Sequence, residues 1–97
     1  MNELEEWRKK IDLIDLQLVK LLNERATCAT ELGTVKLRLG LDAYSPKREE
    51  EVIENVTRNN PGPLSPQALR RLFERIIDES RTVERVYMEE QRKRTKS

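Results

Sequence analysis

The sequence predicts an all-α protein with three helices per protomer, long, short and long, that forms an intertwined homodimer. Its 97 residues include only three glycines and four prolines, and 38% of them are charged. Such a composition is typical of long amphipathic helices rather than of sheets. Apolar side chains also recur at steps of three and four residues over two long segments, which is the spacing of a helix that packs along its whole length.

The first predicted helix begins near the N-terminus and ends at Gly40, a residue type common just beyond a helix end. At 1.5 Å per residue, a helix of about 35 residues is about 50 Å long. A compact monomer of this size has a radius of gyration of only about 12–13 Å. We therefore expect a second copy of the chain to cover the apolar stripe of this helix. The stripe consists of Leu4, Trp7, Ile11, Ile14, Leu18, Leu21, Cys28, Leu32, Val35 and Leu39.

A short loop, residues 40–44, leads to the second predicted helix. Ser45 and Pro46 mark its start, because serine is a common N-cap and proline suits the first helical position. The helix runs to about Arg58, where the turn rich in asparagine, proline and glycine at residues 59–63 ends it. Its apolar face consists of Val52, Ile53 and Val56.

The third predicted helix starts at a second Ser-Pro pair, Ser65 and Pro66, and runs to about Gln91. Residues 1–91 are expected to form one domain, since a chain of this length builds a single core. We expect the basic residues that follow, 92–97, to form a disordered and solvated tail. The apolar stripe of the third helix consists of Leu69, Leu72, Phe73, Ile76, Ile77, Val83 and Tyr87.

The composition argues against several classes of function. The net charge of +1 gives no field that would attract nucleic acid, so we expect no nucleic-acid partner. Because no apolar run could cross a membrane and no signal peptide begins the chain, we expect a cytoplasmic protein without a membrane partner. The single cysteine, Cys28, cannot form an internal disulfide. Without histidine or a glycine-rich loop, the chain has no His-ligated metal site, Ser-His triad or phosphate loop, and we expect no metal and no cofactor.

Polar residues interrupt the apolar stripes at positions where core side chains are expected. Arg25 occupies such a position on the first helix, and a desolvated arginine is costly unless it meets an anion. Lys36 lies roughly 20° from Arg25 around the helix axis, so both cations face the same way. Arg8 lies about 100° from Arg25, so it cannot easily join their site from its own helix, although the partner subunit's Arg8 can.

The third helix repeats this pattern. Ser80 interrupts its stripe, and Glu84 projects on the same side one turn later. The start of the second helix adds Arg48 and Glu49. Several cations with a few hydrogen-bonding partners describe a pocket for a small dianion. The complete inward polar set is Arg8, Arg25, Lys36, Arg48, Glu49, Ser80 and Glu84.

A purely structural interpretation of these residues stays open at this point. Charged residues beside helical seams often snorkel or form salt bridges, and Arg48 with Glu49 could be a solvated pair. Ser80 could bond back to a carbonyl of its own helix. Cys28 is better interpreted as a small core residue than as a nucleophile. A pocket is favoured because the interruptions fall on several helices with matching chemistry.

Five segments of the sequence, taken together, match a known family in their order and spacing. They are Trp7 to Asp12, Leu22 to Arg25, Gly33 to Lys36, Pro46 to Glu49 and Ile76 to Ser80. Through these segments the chain, from about Glu5 to Tyr87, resembles the all-helical, bacterial-type class of chorismate mutases. The resemblance implies a dimer in which each long first helix spans both active sites, and the predicted helix pattern agrees with this fold.

The resemblance also implies how chorismate would be held. Arg25 and the partner subunit's Arg8 would bind its two carboxylates, and Ser80 would assist a carboxylate. Arg48 and Glu49 match the family's pair at the start of the second helix, with Glu49 expected on the ring hydroxyl. Chorismate would thus be a small-molecule partner of two active sites shared between the protomers.

Lys36 and Glu84 are implied to act at the bond that breaks and, with Arg25, to be the catalytic residues. Lys36 would contact a carboxylate and the ether oxygen, and Glu84 would offer that oxygen a second hydrogen bond. The implied reaction is the Claisen-type rearrangement of chorismate to prephenate in phenylalanine and tyrosine biosynthesis. It needs no nucleophile, metal or cofactor, because the enzyme selects the reactive conformer and stabilises negative charge on the ether oxygen.

Two positions depart from the family pattern. Glu84 stands where many relatives carry glutamine, and a carboxylate cannot donate a hydrogen bond whereas a carboxylic acid can. We therefore hypothesise that Glu84 is protonated in the working enzyme, with the alternative that nearby cations keep it ionised. Ser45 stands where an aspartate is common, which affects substrate affinity only if that position works through its side chain.

Two other functions stay open. An isochorismate pyruvate lyase of the same fold has a very similar pocket, so the fold does not separate it from a mutase. The residues Arg48, Glu49 and Glu84 favour the mutase. A non-catalytic helical dimerisation or regulatory module is the alternative outside enzymes, but such a module would favour apolar residues at Arg25 and Ser80.

Overall fold

The computed structural model of the chain describes residues 2–95, which form three helices. α1 covers Glu3–Leu39, α2 covers Pro46–Arg58 and α3 covers Pro66–Thr95. α3 packs against both α1 and α2. The predicted all-α class and the order long, short, long are confirmed. Within the described residues, no helix has an apolar stretch long enough to span a membrane.

Local signals define both ends of α1. The side chain of Asn2 caps the first turn, since its Oδ1 accepts a hydrogen bond of 2.8 Å from the Leu4 N–H. At the other end Gly40 adopts a left-handed conformation with φ of 69°, which glycine does without steric cost. The chain then reverses, and the Leu41 N–H donates to the Lys36 carbonyl at 2.9 Å.

The two Ser-Pro pairs start helices as predicted, but the two serines act differently. The Ser65 Oγ accepts a hydrogen bond of 3.1 Å from the Ala68 N–H, which is the usual N-cap contact. Ser45 occupies the N-cap position of α2, yet its side chain makes no capping hydrogen bond among the described residues. The Ser45 side chain is therefore available for other contacts at the start of α2.

α3 continues beyond its predicted end. Gln91 was the expected last residue, and disorder was expected from residue 92, but the helix runs to Thr95. The predicted end of the helix at about Gln91 is thus too early by four residues. Three basic side chains in this last turn interact favourably with the negative end of the helix dipole, which supports a longer helix. Residues 96–97 of the predicted tail lie outside the described residues.

The protomer is elongated. It measures 61 × 28 × 15 Å, with a radius of gyration of 17.3 Å, against the roughly 12–13 Å of a compact chain of this size. Residues 3–24, the N-terminal part of α1, are all exposed. The length of α1 therefore carries it beyond the region where the three helices pack.

The core of the protomer is small and lies where α3 meets the C-terminal half of α1. Ala29 and Gly33 are the buried residues of α1, and Ile53 and Ile77 are buried on α2 and α3. A methyl group at Gly33 would lie 3.1 Å from Met88 Cγ, so glycine permits the close approach of α1 and α3. The helices thus meet through small residues, which leaves room beside them for polar side chains.

The predicted apolar stripe of α1 is not covered within one chain. Trp7 is 62% exposed and Leu21 is 58% exposed, and the stripe residues between them are similarly uncovered. Cys28, interpreted above as a core residue, is also exposed. The face of α1 that contacts its own α3 is instead the one that carries Ala29 and Gly33. A single protomer therefore leaves most of the stripe to water.

Candidate active site

A cleft of about 260 Å³ lies between α1, α3 and the start of α2. Ala29 and Ile77 form part of its floor, and Leu32 and Val52 contribute further apolar wall. The structure brings together in this cleft all the predicted inward polar residues except Arg8. They are Arg25, Lys36, Arg48, Glu49, Ser80 and Glu84.

Arg25 and Ser80 face each other across the cleft. The Arg25 guanidinium donates a hydrogen bond of 2.5 Å from Nη1 to the Ser80 Oγ, and both residues are half-buried. The Ser80 hydroxyl therefore contacts α1, instead of bonding back to a carbonyl of its own helix. The polar residue that interrupts the apolar stripe of α1 thus contacts the polar residue that interrupts the stripe of α3.

Lys36 and Glu84 form a second contact between α1 and α3. The Lys36 Nζ lies 2.8 Å from the Glu84 Oε1, and the side chains are 19% and 8% exposed. The ammonium also donates a hydrogen bond of 3.0 Å to the carbonyl of Ala43, in the loop before α2. The short distance marks an ion pair. Glu84 Oε1 is a buried oxygen without a hydrogen-bond partner among the described residues.

Arg48 and Glu49 lie at the rim of the cleft and do not pair with each other. Glu49 is half-buried, and its Oε2 lies 3.0 Å from the Nη1 of Arg81. Arg48 is exposed, with its Nη1 3.6 Å from the Oε2 of Glu51. Glu49 is therefore held in place by the protein, whereas Arg48 has only a weak, solvated partner on its own helix.

Arg8 lies outside the cleft of its own chain. Its side chain is 62% exposed and its Nη1 lies 3.2 Å from the Oε1 of Glu5. Seventeen residues separate it from Arg25, which corresponds to about 25 Å along the helix axis. The position of Arg8 on the helix thus keeps it from the cleft that Arg25 lines.

Besides the apolar walls, four residues outside the predicted site set line the cleft: Cys28, Ala43, Ser45 and Arg81. Arg81 contacts Glu49, and Ala43 contacts Lys36. Ala43 acts through its backbone carbonyl, so its residue type gives no signal. Arg81 follows Ser80 directly, and a neighbour in sequence on a helix points about 100° away. Only the path of the loop before α2 brings these groups together.

The cleft suits a small, ring-shaped dianion. Four cationic side chains line it against two carboxylates, and the walls between them are apolar. Arginine can bind a carboxylate with two parallel hydrogen bonds, whereas the lysine ammonium acts as a compact, movable donor. The four cations are Arg25, Lys36, Arg48 and Arg81, and the two carboxylates are those of Glu49 and Glu84.

Comparisons with known proteins give a consistent result. The family described as chorismate mutase type II matches residues 7–85 of the chain. A bifunctional chorismate mutase/prephenate dehydratase from Aquifex aeolicus is 39% identical over 89 residues, covering 88% of this chain and 25% of that protein. A chorismate mutase from Methanocaldococcus jannaschii is 27% identical over 97 residues, covering 99% of this chain and 98% of that protein.

A solved structure agrees in fold. A chorismate mutase from Thermus thermophilus superposes with a TM-score of 0.83 at 36% sequence identity, covering 86% of this chain and 94% of that chain. The chain spans about a quarter of the length of the bifunctional relatives that it matches.

Proposed function

The chain belongs to the chorismate mutase type II family, and from this premise we propose that it catalyses the rearrangement of chorismate to prephenate. The observation that carries the proposal is the meeting of two pairs of polar residues in one cleft. Arg25 contacts Ser80, and Lys36 contacts Glu84, each pair joining α1 to α3. Cations held in this way are what a dicarboxylate substrate with a breaking C–O bond requires.

The substrate is held through its carboxylates and its ring. Arg25 binds one carboxylate, with the Ser80 hydroxyl free to turn from Arg25 toward the same group. The ring packs on the apolar walls at Ala29 and Ile77. Glu49, already fixed by an arginine, accepts a hydrogen bond from the ring hydroxyl. These contacts favour the compact conformer in which the two carbons that join are close together.

Lys36 stabilises the charge that develops during the reaction. As the ether C–O bond breaks and the new C–C bond forms, negative charge grows on the ether oxygen. The ammonium of Lys36 has three N–H donors. One is held by the Ala43 carbonyl and the Glu84 carboxylate lies 2.8 Å from the same nitrogen, which leaves a donor available to the ether oxygen. Because the donor is in place before the reaction, little energy is lost in reorganisation. No atom is transferred to or from the protein.

The second protomer completes the site in this proposal. The stripe from Trp7 to Leu21 is exposed in one chain, and the chain is 61 Å long, so an antiparallel pairing of two α1 helices would cover both stripes. Arg8 lies about 25 Å along α1 from the Arg25 of its own chain. In such a pair the partner subunit's Arg8 supplies the second carboxylate with its cation, and each cleft is shared.

The test is product analysis with two substrates. The purified chain is incubated with chorismate and separately with isochorismate, and the products are separated by chromatography. We expect prephenate from chorismate, and no prephenate after Arg25→Ala. Arg85→Ala is the matched control, because Arg85 is 55% exposed, pairs with Glu89 and does not line the cleft.

Other products would contradict the proposal in distinct ways. Pyruvate and salicylate from isochorismate, without prephenate from chorismate, would assign a lyase on the same fold. If a folded dimer forms no product from either substrate, the chain would be assigned as a non-catalytic module. Prephenate formation that survives Arg25→Ala unchanged would show that the cleft is not the site.

A further inference from the structure

Arg81 lies at the edge of the cleft, where α2, α3 and the loop before α2 meet. Its Nη1 lies 3.0 Å from the Oε2 of Glu49, and its Nη2 lies 3.0 Å from the Oδ1 of Asp78. Its guanidinium carbon lies 4.8 Å from the centre of the Tyr44 ring. The side chain is 33% exposed, so these contacts are partly shielded from water.

The three contacts suit an arginine in particular. A guanidinium is planar and carries donors on both Nη atoms, so its face can stack on Tyr44 while its edge reaches two carboxylates. A lysine ammonium is a compact charge without such a face. Asp78 anchors the guanidinium from α3 and Tyr44 anchors it from the loop. Arg81 is therefore fixed independently of Glu49.

The ion pair with Arg81 restricts Glu49. A glutamate side chain that is free to rotate loses conformational entropy when a ligand orders it, and this loss weakens binding. In this structure the Oε2 of Glu49 is already bound to Arg81. Its other oxygen, Oε1, makes no hydrogen bond with any described residue, so it is available to a ligand hydroxyl. Glu49 is thus positioned to accept a hydrogen bond from that hydroxyl.

We propose that Arg81 is a positioning residue that fixes the Glu49 carboxylate for the ring hydroxyl of the substrate. The proposal rests on the proposed function and adds a residue to it. Arg81 acts through Glu49 and does not touch the reacting atoms. Because the hydroxyl contact is the same in the bound substrate and in the transition state, its loss raises KM more than it lowers kcat.

The experiment is a double-mutant cycle in the full chain with chorismate as substrate. The proteins are the unchanged chain, Arg81→Met, Glu49→Ala and the double variant. We expect Arg81→Met to raise KM about tenfold and to change kcat less than about threefold. In the Glu49→Ala protein, Arg81→Met should raise KM by less than about twofold, because the carboxylate that Arg81 positions is absent.

Three further variants separate positioning from a general effect on the fold. Arg81→Lys keeps a charge near Glu49 and should recover part of the lost affinity. Tyr44→Leu removes the stacked ring and should raise KM in the same direction as Arg81→Met, but less. Arg85→Met removes an arginine one turn along α3, outside the cleft, and should leave KM unchanged. Thermal unfolding of each variant verifies that the protein is folded.

The outcomes are distinct. An unchanged KM in Arg81→Met would overturn this proposal while chorismate turnover by the unchanged chain upholds the proposed function. An equal rise in KM with and without Glu49 would also overturn it, since Arg81 would then act directly on the substrate or through the fold. If Arg81→Met does not fold, unchanged KM values in both Arg81→Lys and Tyr44→Leu would overturn it. Absence of turnover by the unchanged, folded chain would overturn the proposed function and this proposal together.

Discussion

Lys36 and Glu84 form a buried ion pair between α1 and α3, with the ammonium nitrogen 2.8 Å from the carboxylate Oε1. The same ammonium donates to the carbonyl of Ala43, so it is fixed from two sides. The Glu84 oxygen nevertheless lacks a hydrogen bond from any described residue. The pair therefore combines a positioned cation with a buried oxygen that has no hydrogen bond, and the roles of Lys36 and Glu84 can each be tested by substitution.

Substituting Lys36→Ala should lower kcat by about 10²–10³-fold, because it removes the donor aimed at the ether oxygen. The measurement is the initial rate of prephenate formation at saturating chorismate. Lys93→Ala, in the exposed last turn of α3, is the matched control and should keep full activity. A fall of less than about threefold in a folded Lys36→Ala protein would remove Lys36 from the mechanism.

Loss of Lys36 also leaves the buried Glu84 carboxylate without its charge partner, which destabilises a protein. The folded fraction must therefore be measured by urea unfolding alongside the rates. A second substitution, Glu84→Leu, should restore the free energy of unfolding in the Lys36→Ala protein but should not restore activity. Recovery of activity by that pair would show that Lys36 acts on stability alone.

Glu84→Gln should give an enzyme whose kcat at neutral pH equals or exceeds that of the unchanged chain. An amide can donate a hydrogen bond to the ether oxygen at any pH, whereas Glu84 can donate only while protonated. Initial rates of prephenate formation by both proteins at neutral pH and saturating chorismate decide this. A fall in kcat of about tenfold or more in a folded Glu84→Gln protein would show that the side chain at position 84 does not act as a hydrogen-bond donor to the ether oxygen.

The sequence predicts the parts of this site that depend on helix geometry. The Ser-Pro pairs and Gly40 give the helix boundaries because their effects are local. The angle between Arg25 and Lys36 around the helix axis is small, so the two residues share a face of α1. The i, i+4 spacing of Ser80 and Glu84 places those two residues on one face of α3. Each pair could therefore be predicted to project together, and the cleft contains all four residues.

The contacts that the sequence does not predict depend on where a loop lies. Arg81 reaches Glu49 and Tyr44 only because the loop before α2 folds back over α3, and no periodicity encodes that path. The end of α3 was also predicted too early, because a run of basic residues was interpreted as a solvated tail. At the C-terminus of a helix the same charges are favourable, so composition alone placed the end of α3 too early.

Arg25→Leu should abolish prephenate formation while leaving the free energy of unfolding within about 1 kcal/mol of its original value or raising it. The substitution removes the cation that binds a carboxylate, but it also places an apolar side chain at a stripe position between two helices. Enzyme rates and urea unfolding of the same preparation give both quantities. Loss of stability without loss of activity would assign Arg25 a structural role, which is the opposite of its proposed one.

Mixing two inactive variants should restore activity if each cleft uses residues of both protomers. A heterodimer of Arg8→Ala and Arg25→Ala chains contains one cleft with both arginines intact and one cleft with neither. Random pairing of equal amounts makes half of the dimers mixed, and half of their clefts are intact, so about one quarter of the original activity should return. The variants are unfolded and refolded together, and each variant refolded alone is the control. Activity no higher than that of the two parents would mean that Arg8 does not complete the partner's cleft, because a site built within one chain cannot be repaired by another.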